Sequence, residues 1–378
     1  MITLLEDIGE SVIREMTRLA IENNAVNLAQ GITRIEPPER LLDFAVEAIK
    51  GGFNSYTVTY GRPQLRKKIS EIIYNETGVE FDPNSEVLIT MGASEGFASS
   101  IFSLIEGESS VVIPEPFYES YFPLVALSRG KPIFLKLKKS DYSITKAEIE
   151  KLSPYKLFIL NSPHNPTGRV FKEKELKLIA ESVLEKDAYL LVDETYKYIT
   201  FENPYISPLS IPEIVDRSII VGSFSKTFSV TGWRIGYVLA REPIMKGIRK
   251  VHDYLAVCAP APFQWAVEQF KWGEDYLSSL SKIYKEKRDF FMKILKRSGF
   301  DFYKPEGAYY IFAGFEGLWE GNDWAFAKFL VKNRRIAVVP GSSFYNDKKA
   351  GERKVRFNFA LSNEALKIVA NRLLAGVT

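Results

Sequence analysis

The middle of the chain alternates short apolar runs with amphipathic stretches of helical spacing. Six runs are continuously apolar and end in loops that contain Gly, Pro, Ser or Asn: SEVLITMG, SSVVIPEP, KPIFLKL, YKLFILNSP, AYLLVDETY and RSIIVGSFS. Because they do not alternate apolar with polar residues, these runs predict strands that are buried on both faces. Helical patterns such as KEKELKLIAESVLEKD lie between several of them. The alternation predicts an α/β fold with a mostly parallel central sheet.

The pattern changes after about residue 272. The segment EDYLSSLSKIYKEKRDFFMKILKRSG spaces its apolar residues for one long helix, with Tyr276, Leu280, Ile283, Phe290 and Ile294 on one face. FYKPEGAYYIF, RIAVVPGSSF and KVRFNFA then predict a smaller sheet, and NEALKIVANRLL predicts a final helix. We therefore predict a large domain over residues 43–272 and a smaller α+β domain formed by residues 1–42 and 273–378.

Polar clusters follow four of the predicted strands. They read GASEG, NSPHNPTG, DETY and SFSK. In open α/β sheets a ligand binds beyond the carboxyl ends of the strands, so four polar clusters at four such ends are best explained as one pocket.

Composition narrows the function classes. The formal net charge of +3 is spread without a basic block, which argues against a nucleic-acid partner. A single cysteine makes an intrachain disulfide framework impossible, and with only two histidines a thiolate or imidazole metal cluster is improbable. The N-terminus does not resemble a secretory signal, and no run of about 18 apolar residues predicts a membrane span. We expect a cytoplasmic protein without membrane partners.

Lys226 stands in the segment SFSKTFSVTGWRIGY, between two groups that suit a phosphate. Ser223 offers a hydroxyl and Arg234 a guanidinium fork. A lysine amine forms a Schiff base with a carbonyl only when it is neutral, so burial or nearby cations must lower its pKa. The alternative is a solvated surface lysine. Pyridoxal 5′-phosphate carries both a phosphate and an aldehyde.

The remaining clusters supply what such a cofactor needs. Asp193 ends a predicted buried strand and would meet the ring nitrogen, although it could also be a capping residue. Asn165 and Tyr196 could reach the ring hydroxyl, although Asn-Pro also marks ordinary turns. In TMGASEG, Ala93 and Ser94 offer amides at a helix start, where anions bind.

At this point the chain resembles the fold-type I pyridoxal-phosphate enzymes, specifically the class I and II aminotransferases. NSPHNPTG, DETY and SFSKTFSVTGWRIGY match that family's motifs in order, with 28 residues from Asn165 to Asp193 (193 minus 165) and 33 from Asp193 to Lys226 (226 minus 193). The likeness extends from NLAQG to VRFNFA. It implies the fold of that group, a large cofactor-binding domain with a smaller second domain.

The resemblance assigns roles to the residues already singled out. Lys226, Asp193 and Tyr196 would be catalytic, with Lys226 holding an internal aldimine and later acting as general base. Asp193 would pair with the ring nitrogen. The other cofactor contacts implied are Asn165 and Tyr196 at the ring hydroxyl, Ala93, Ser94, Ser223 and Arg234 at the phosphate, and Tyr118 stacked on the ring. Tyr118 could instead be a core aromatic.

Further matches concern substrate and assembly. Arg356 aligns with the arginine that binds the substrate α-carboxylate, and Gly31 and Asn165 would border the same carboxylate. Tyr56 matches a tyrosine that reaches the phosphate of the neighbouring subunit, which implies a homodimer. The loop after NLAQG departs from the family pattern, and Arg34 in it could receive an acidic side chain or remain a solvated loop residue.

We predict an aminotransferase that moves an amino group between an amino acid and a 2-oxo acid by a ping-pong mechanism. A carbon–sulfur β-lyase of the same fold is the nearest alternative. A catalytically silent regulator is the third, but such regulators carry an added DNA-binding domain, for which we expect no room before residue 27. The sequence leaves acidic, aromatic and broad donors open.

Overall fold

The computed structural model describes residues 9–376, and within them the chain forms strands that belong to three sheets. The strands are β1 (Val26–Asn27), β2 (Val87–Thr90), β3 (Ser110–Glu115), β4 (Lys131–Lys136), β5 (Leu157–Asn161), β6 (Tyr189–Asp193), β7 (Ser218–Ser223), β8 (Gly236–Leu239), β9 (Asp301–Phe302), β10 (Tyr310–Gly314), β11 (Ile336–Ala337), β12 (Val339–Pro340) and β13 (Lys354–Asn358).

The largest sheet has seven strands in the order β2-β8-β7-β6-β5-β3-β4. All neighbouring pairs are parallel except those made by β8, which runs antiparallel to both β2 and β7. The six predicted strands are β2 to β7, so the α/β fold with a mostly parallel sheet is confirmed. The prediction missed β8, whose four residues directly follow the turn-rich GWRIG segment.

Helices surround the sheets. They are α1 (Val12–Glu22), α2 (Glu39–Lys50), α3 (Pro63–Thr77), α4 (Gly92–Leu104), α5 (Tyr121–Leu127), α6 (Lys146–Glu150), α7 (Glu173–Glu185), α8 (Phe224–Thr227), α9 (Glu242–Leu255), α10 (Ala261–Gln269), α11 (Glu274–Arg297), α12 (Asp323–Arg334) and α13 (Asn363–Leu374). The long helix after residue 272 and the final helix were both predicted from their apolar spacing. Within residues 9–376, no helix combines the length and apolar character that a membrane crossing requires.

The central sheet is covered on both faces, as its continuously apolar strands predict, except at the edge strand β4, which is only partly buried. Successive side chains of a strand point to opposite faces. In β6, Leu190 and Val192 therefore join one apolar core cluster, whereas Leu191 joins the other. The side chains of both clusters are buried from solvent. Their packing fixes the strands and therefore the positions of the residues that follow the strand ends.

A smaller antiparallel sheet in the order β12-β13-β10-β9 forms from the C-terminal part of the chain. Near it, β1 pairs with β11 in parallel, so segments from both ends of the chain meet. The domain division at residues 42/43 and 272/273 stays a prediction, and its outermost residues lie outside the described part. In α11, the prediction placed Phe290 on the buried face, but its side chain is 37% exposed, and the neighbouring Phe291 is buried instead.

Candidate active site

The predicted polar clusters converge at one edge of the central sheet. Asn161 at the end of β5 pairs with Asp193 at the end of β6, and Asp193 pairs with Val221 in β7. On the other side, Gly236 in β8 pairs with both Thr90 of β2 and Ser223 of β7. The carboxyl ends of β2, β5, β6 and β7 therefore share this edge, as the sequence predicted.

The first turn of α4 and Arg234 form a cationic corner of this edge. A Cβ added to Gly92 would lie 2.4 Å from Arg234 Nη2, so the guanidinium packs directly on the start of the helix that carries Ala93 and Ser94. The first amides of a helix have no intrahelical partner. Arg234 Nη1 donates to the carbonyl of Thr231 at 2.9 Å, which orients the fork.

Close backbone approach explains Gly236 but not Gly232. A Cβ on Gly236 would lie 2.8 Å from the amide nitrogen of Ala93 and 2.8 Å from the carbonyl oxygen of Gly222. Gly232 is open to solvent and has no atom within 4 Å of an added Cβ. Of these two positions, Gly236 therefore requires a glycine for close backbone approach and Gly232 does not.

Lys226 lies in the short helix α8, directly after the end of β7. Its Nζ donates to the carbonyl oxygen of Gly31 at 2.6 Å. Burial lowers the pKa of Lys226 to about 8, and the positive charges of Arg234 and Arg356 act in the same direction, whereas Asp193 opposes them. With that pKa, about one lysine in ten is neutral at pH 7. Lys226 is therefore not an ordinary solvated surface lysine.

Asp193 is a buried carboxyl group held by two donors. Its Oδ2 accepts a hydrogen bond from the hydroxyl of Tyr121 at 2.5 Å, and its Oδ1 accepts from the amide of Thr195 at 3.0 Å. Burial raises the pKa of Asp193, while these hydrogen bonds and the charge of Lys226 lower it. Tyr121 was not predicted; it stands three residues after Tyr118 and is 72 residues from its partner.

Asn165 and Arg356 join the central sheet to the smaller sheet. Arg356 Nη1 donates to Asn165 Oδ1 at 2.8 Å, and Nη2 donates to the carbonyl oxygen of Ala29 at 2.5 Å. The arginine side chain is fully buried, and its Nε has no hydrogen-bond partner among the described residues. Because Oδ1 of Asn165 is occupied, its amide nitrogen is the group left to donate elsewhere.

Tyrosines surround the groups described so far. Tyr196 is buried, and its hydroxyl lies 2.9 Å from that of Tyr310. The hydroxyl of Tyr309 donates to the carbonyl oxygen of Gly31 at 2.9 Å. Tyr118 is partly buried, and burial raises its pKa, with Arg356 opposing this through its charge. Tyr309 and Tyr310 were not predicted, and the doublet in PEGAYYIF was the only signal for them.

Two predicted residues differ from this group because their side chains are exposed. Tyr56 is 83% exposed, in the loop before α3. Arg34 is also exposed and lines a groove of about 510 Å³ with Ile283 and Phe290 of α11 and Leu366 of α13. Among residues 9–376, no cluster of three or more His, Cys, Asp or Glu side chains could hold a metal ion.

Comparisons with known proteins agree with this architecture. The family described as aminotransferase class I and II matches residues 23–373. The chain is 32% identical to the kynurenine–oxoglutarate transaminase of Dictyostelium discoideum, over 97% of this chain and 94% of that protein. It is 31% identical to the aspartate aminotransferase of Pyrococcus abyssi (strain GE5 / Orsay), over 98% of this chain and 96% of that protein.

A solved structure shows the same fold over nearly the whole length. The N-succinyldiaminopimelate aminotransferase from Mycobacterium tuberculosis superposes with a TM-score of 0.96 at 30% identity, covering 99% of each chain. The relatives named here all carry aminotransferase names, and none of those names refers to a carbon–sulfur lyase. The fold type and the amino-group transfer predicted from the sequence are thereby confirmed. The chain belongs to the class I and II aminotransferases.

Proposed function

We propose that this aminotransferase holds pyridoxal 5′-phosphate at the carboxyl edge of the central sheet, with Lys226 as the attachment point. The carrying observation is the setting of Lys226: its partly buried side chain donates to the carbonyl oxygen of Gly31 and feels the charges of Arg234, Arg356 and Asp193, and its pKa is lowered to about 8. Only the neutral amine reacts with an aldehyde. When bound, the cofactor supplies that aldehyde and an electron-accepting ring.

The cationic corner fits the phosphate. Arg234 offers a fork, and the amides of Ala93 and Ser94 lie at the start of α4, where a helix favours negative charge. The hydroxyl oxygen of Ser223 accepts the amide of Ser225 at 3.1 Å, so its proton remains available for donation. Ser225 Oγ is buried without a hydrogen-bond partner among the described residues, which is expected of a group beside a polar ligand.

The ring fits the groups at the ends of β5 and β6. Asp193 would accept a hydrogen bond from the protonated ring nitrogen, and the raised pKa from burial is tolerated because Tyr121 and Thr195 donate to its oxygens. The amide nitrogen of Asn165 and the hydroxyl of Tyr196 would donate to the ring oxygen. Tyr118, partly buried beside Tyr121, would cover one ring face.

The substrate fits between the two sheets. Arg356 would bind the α-carboxylate through its fork, supported by Asn165 and the carbonyl oxygen of Ala29. The Gly31 segment, held by Lys226 and Tyr309, would border the same carboxylate. Lys226 in its neutral form is the base placed to take the α-proton and return it. A second substrate, a 2-oxo acid, would then complete a ping-pong cycle.

The donor side chain is less closely defined. The relatives include transaminases named for kynurenine and for aspartate. Arg34, the arginine that could have received an acidic side chain, is exposed in the groove beside α11 and α13. Its position favours the solvated alternative and gives no support for an acidic donor. A cytoplasmic location stays a prediction from the sequence.

Replacing Lys226 tests the assignment. After pyridoxal phosphate is added and the protein is reduced with borohydride, we expect mass spectrometry to find the cofactor on the peptide containing Lys226. Lys226→Ala should lose labelling and lower turnover by about 10³-fold or more, because the base and the attachment point are both removed. Lys282→Ala, at an exposed position of α11, is the matched control.

Two outcomes would contradict the proposal: labelling at another lysine, or near-native turnover of Lys226→Ala. The alternative lyase is tested in the same preparation. Pyruvate and ammonia released from cystathionine without an oxo acid would indicate β-elimination, whereas a requirement for an oxo acid acceptor indicates amino transfer.

A homodimer is part of the same proposal. The apolar side chains Tyr56, Val58, Tyr254, Leu255 and Val257, here called the 56–257 surface, are 48–94% exposed. Two contacts hold its loops together, since Gln264 donates to both Thr57 Oγ1 and the carbonyl oxygen of Ala259. Exposed apolar residues concentrated in one place mark interaction surfaces. A second copy would cover this surface and bring Tyr56 to the phosphate of its partner.

A further inference from the structure

Tyr310 lies between two groups to which the proposed function gives different tasks. Its hydroxyl is 2.9 Å from the hydroxyl of Tyr196, which would meet the cofactor. The face of its ring lies 4.3 Å from the guanidinium carbon of Arg356, which would meet the substrate. The side chain is 1% exposed, and a Cβ added to Gly31 would lie 2.4 Å from its hydroxyl oxygen. Tyr310 thus touches three parts of the site without room to move.

The register of the smaller sheet creates this position. Tyr310 of β10 pairs with Asn358, and Phe312 pairs with Arg356 of β13. Directly opposed residues and residues two apart share a face, so the side chains of Tyr310 and Arg356 are diagonal neighbours on one face. Tyr196 lies in the turn after β6, three residues beyond the end of that strand of the central sheet. Tyr310 therefore links the cofactor side of the site to the substrate side.

The direction of the hydroxyl pair follows from the number of protons. A tyrosine hydroxyl has one proton to donate and lone pairs to accept. If Tyr196 gives its proton to the cofactor ring oxygen, its own oxygen is free to accept the proton of Tyr310. A donor that is itself hydrogen-bonded in this way becomes a stronger donor, since chains of hydrogen bonds polarise one another.

We propose that Tyr310 is a positioning residue of this aminotransferase. Its hydroxyl donates to Tyr196 and strengthens the hydrogen bond that Tyr196 makes to the cofactor ring oxygen, while its ring supports Arg356 for carboxylate binding. The inference rests on the proposed function, because both partners act on groups that function supplies. It assigns the two halves of one side chain to two separable effects.

The variant Tyr310→Phe removes the hydroxyl and keeps the ring. Hydrogen-bond donors to the ring oxygen stabilise its negatively charged form and so favour loss of the proton that the bound cofactor carries there. A weaker donor therefore raises the pH at which this proton is lost. We expect the pH midpoint of the visible absorption change of the bound cofactor to rise by about half a unit to one unit. Turnover (kcat) should fall about 3- to 10-fold, with KM for the amino donor within about 2-fold of wild type.

The variant Tyr310→Leu removes the ring as well. Arg356 then loses the aromatic face beneath its guanidinium, and KM for the donor should rise about 10-fold or more in addition to the loss in kcat. Tyr155→Phe is the matched control, because the buried hydroxyl of Tyr155 also bonds another hydroxyl, that of Ser182 at 2.8 Å. Tyr155 precedes the start of β5, at the end of that strand opposite to the site. It should leave the pH midpoint and KM unchanged.

A double-mutant cycle decides whether Tyr310 acts through Tyr196. In the Tyr196→Phe background, Tyr310→Phe should cause no further shift of the pH midpoint. An equal shift in both backgrounds, or no shift in the wild-type background, overturns the inference while leaving the proposed function intact. A wild-type protein that takes up no pyridoxal phosphate overturns both, so the two failures are distinguishable.

Discussion

At the scale of single residues, burial lowers the pKa of Lys226 and raises the pKa of Asp193, so it disfavours the charged form of both. Burial and two nearby arginines lower the pKa of Lys226 to about 8, which suits its proposed role because only the neutral amine reacts with an aldehyde. Asp193 has its pKa raised by the same burial, although its proposed role requires negative charge. Hydrogen-bond donors offset part of this rise in the pKa of Asp193, and the shortest of these hydrogen bonds comes from the hydroxyl of Tyr121 at 2.5 Å. Hydrogen bonds to a carboxylate favour its charged form.

We therefore expect Tyr121→Phe to weaken cofactor binding about 10- to 100-fold, the usual range for losing a hydrogen bond to a charged group. The ring contacts of Tyr121 with Phe97 and Tyr118 would remain, so the fold should persist. The loss has a pH signature. Without the hydroxyl the pKa of Asp193 rises further, and a carboxyl with a raised pKa is charged only at higher pH.

The measurement is the dissociation constant for pyridoxal phosphate between about pH 6 and pH 9. The ratio of the variant's dissociation constant to that of wild type should fall as the pH rises. A ratio that stays constant across this range would show that Tyr121 contributes packing and not charge stabilisation.

At the scale of elements, the sequence predicts the strands and helices whose pattern is contained in one short segment of the chain. Continuous apolar runs identify β2 to β7, and helical spacing identifies α7, α11 and α13. The polar residues directly after the strands follow from the strand assignments. Tyr121 and Tyr310 were not found because their partners are 72 and 114 residues away, and only the packing of different elements brings them together. The short β8 was missed because four residues after a turn carry too little periodicity.

Gly92, in the turn between β2 and α4, is required both by its backbone conformation and by the packing of Arg234. Gly92 has a φ of +71°, and its missing Cβ leaves the space that Arg234 occupies. Gly92→Ala should cost about 1–2 kcal/mol of folding stability from the left-handed backbone alone. In addition, it should displace the guanidinium and weaken phosphate binding, which we expect as a rise of about 10-fold or more in the dissociation constant for the cofactor.

Gly78→Ala separates the two effects. Gly78 has a φ of +75° at the end of α3, and no atom lies within 4 Å of an added Cβ. Both variants should therefore lose thermal stability without cofactor, Gly92→Ala at least as much as Gly78→Ala, but only Gly92→Ala should lose cofactor affinity. Equal cofactor affinity in both variants would argue against Arg234 as the phosphate fork.

At the scale of the whole molecule, the exposure of Tyr56 bears on the proposed homodimer. Its side chain is 83% exposed in a single chain, whereas the other predicted cofactor side chains Asp193, Asn165, Tyr196 and Ser223 are buried. An exposed tyrosine contributes to a buried site only if something covers it. The rest of the 56–257 surface is also exposed, including Tyr254 at 94%, so one symmetric contact would cover both copies.

Mixing two impaired chains tests whether Tyr56 acts on the partner's site. In a hybrid dimer of Lys226→Ala and Tyr56→Ala chains, the site that keeps Lys226 receives the intact Tyr56 of the other chain. After denaturation and refolding of an equal mixture, about half of the dimers should be hybrids with one intact site each, so roughly a quarter of the wild-type sites should be active. If Tyr56 served its own chain, no site would be complete and activity would stay at the level of the separate variants.

Tyr254→Asp supplies the matching assembly test, because a charge buried at the contact should give monomers in sedimentation and lower the activity of an otherwise intact site.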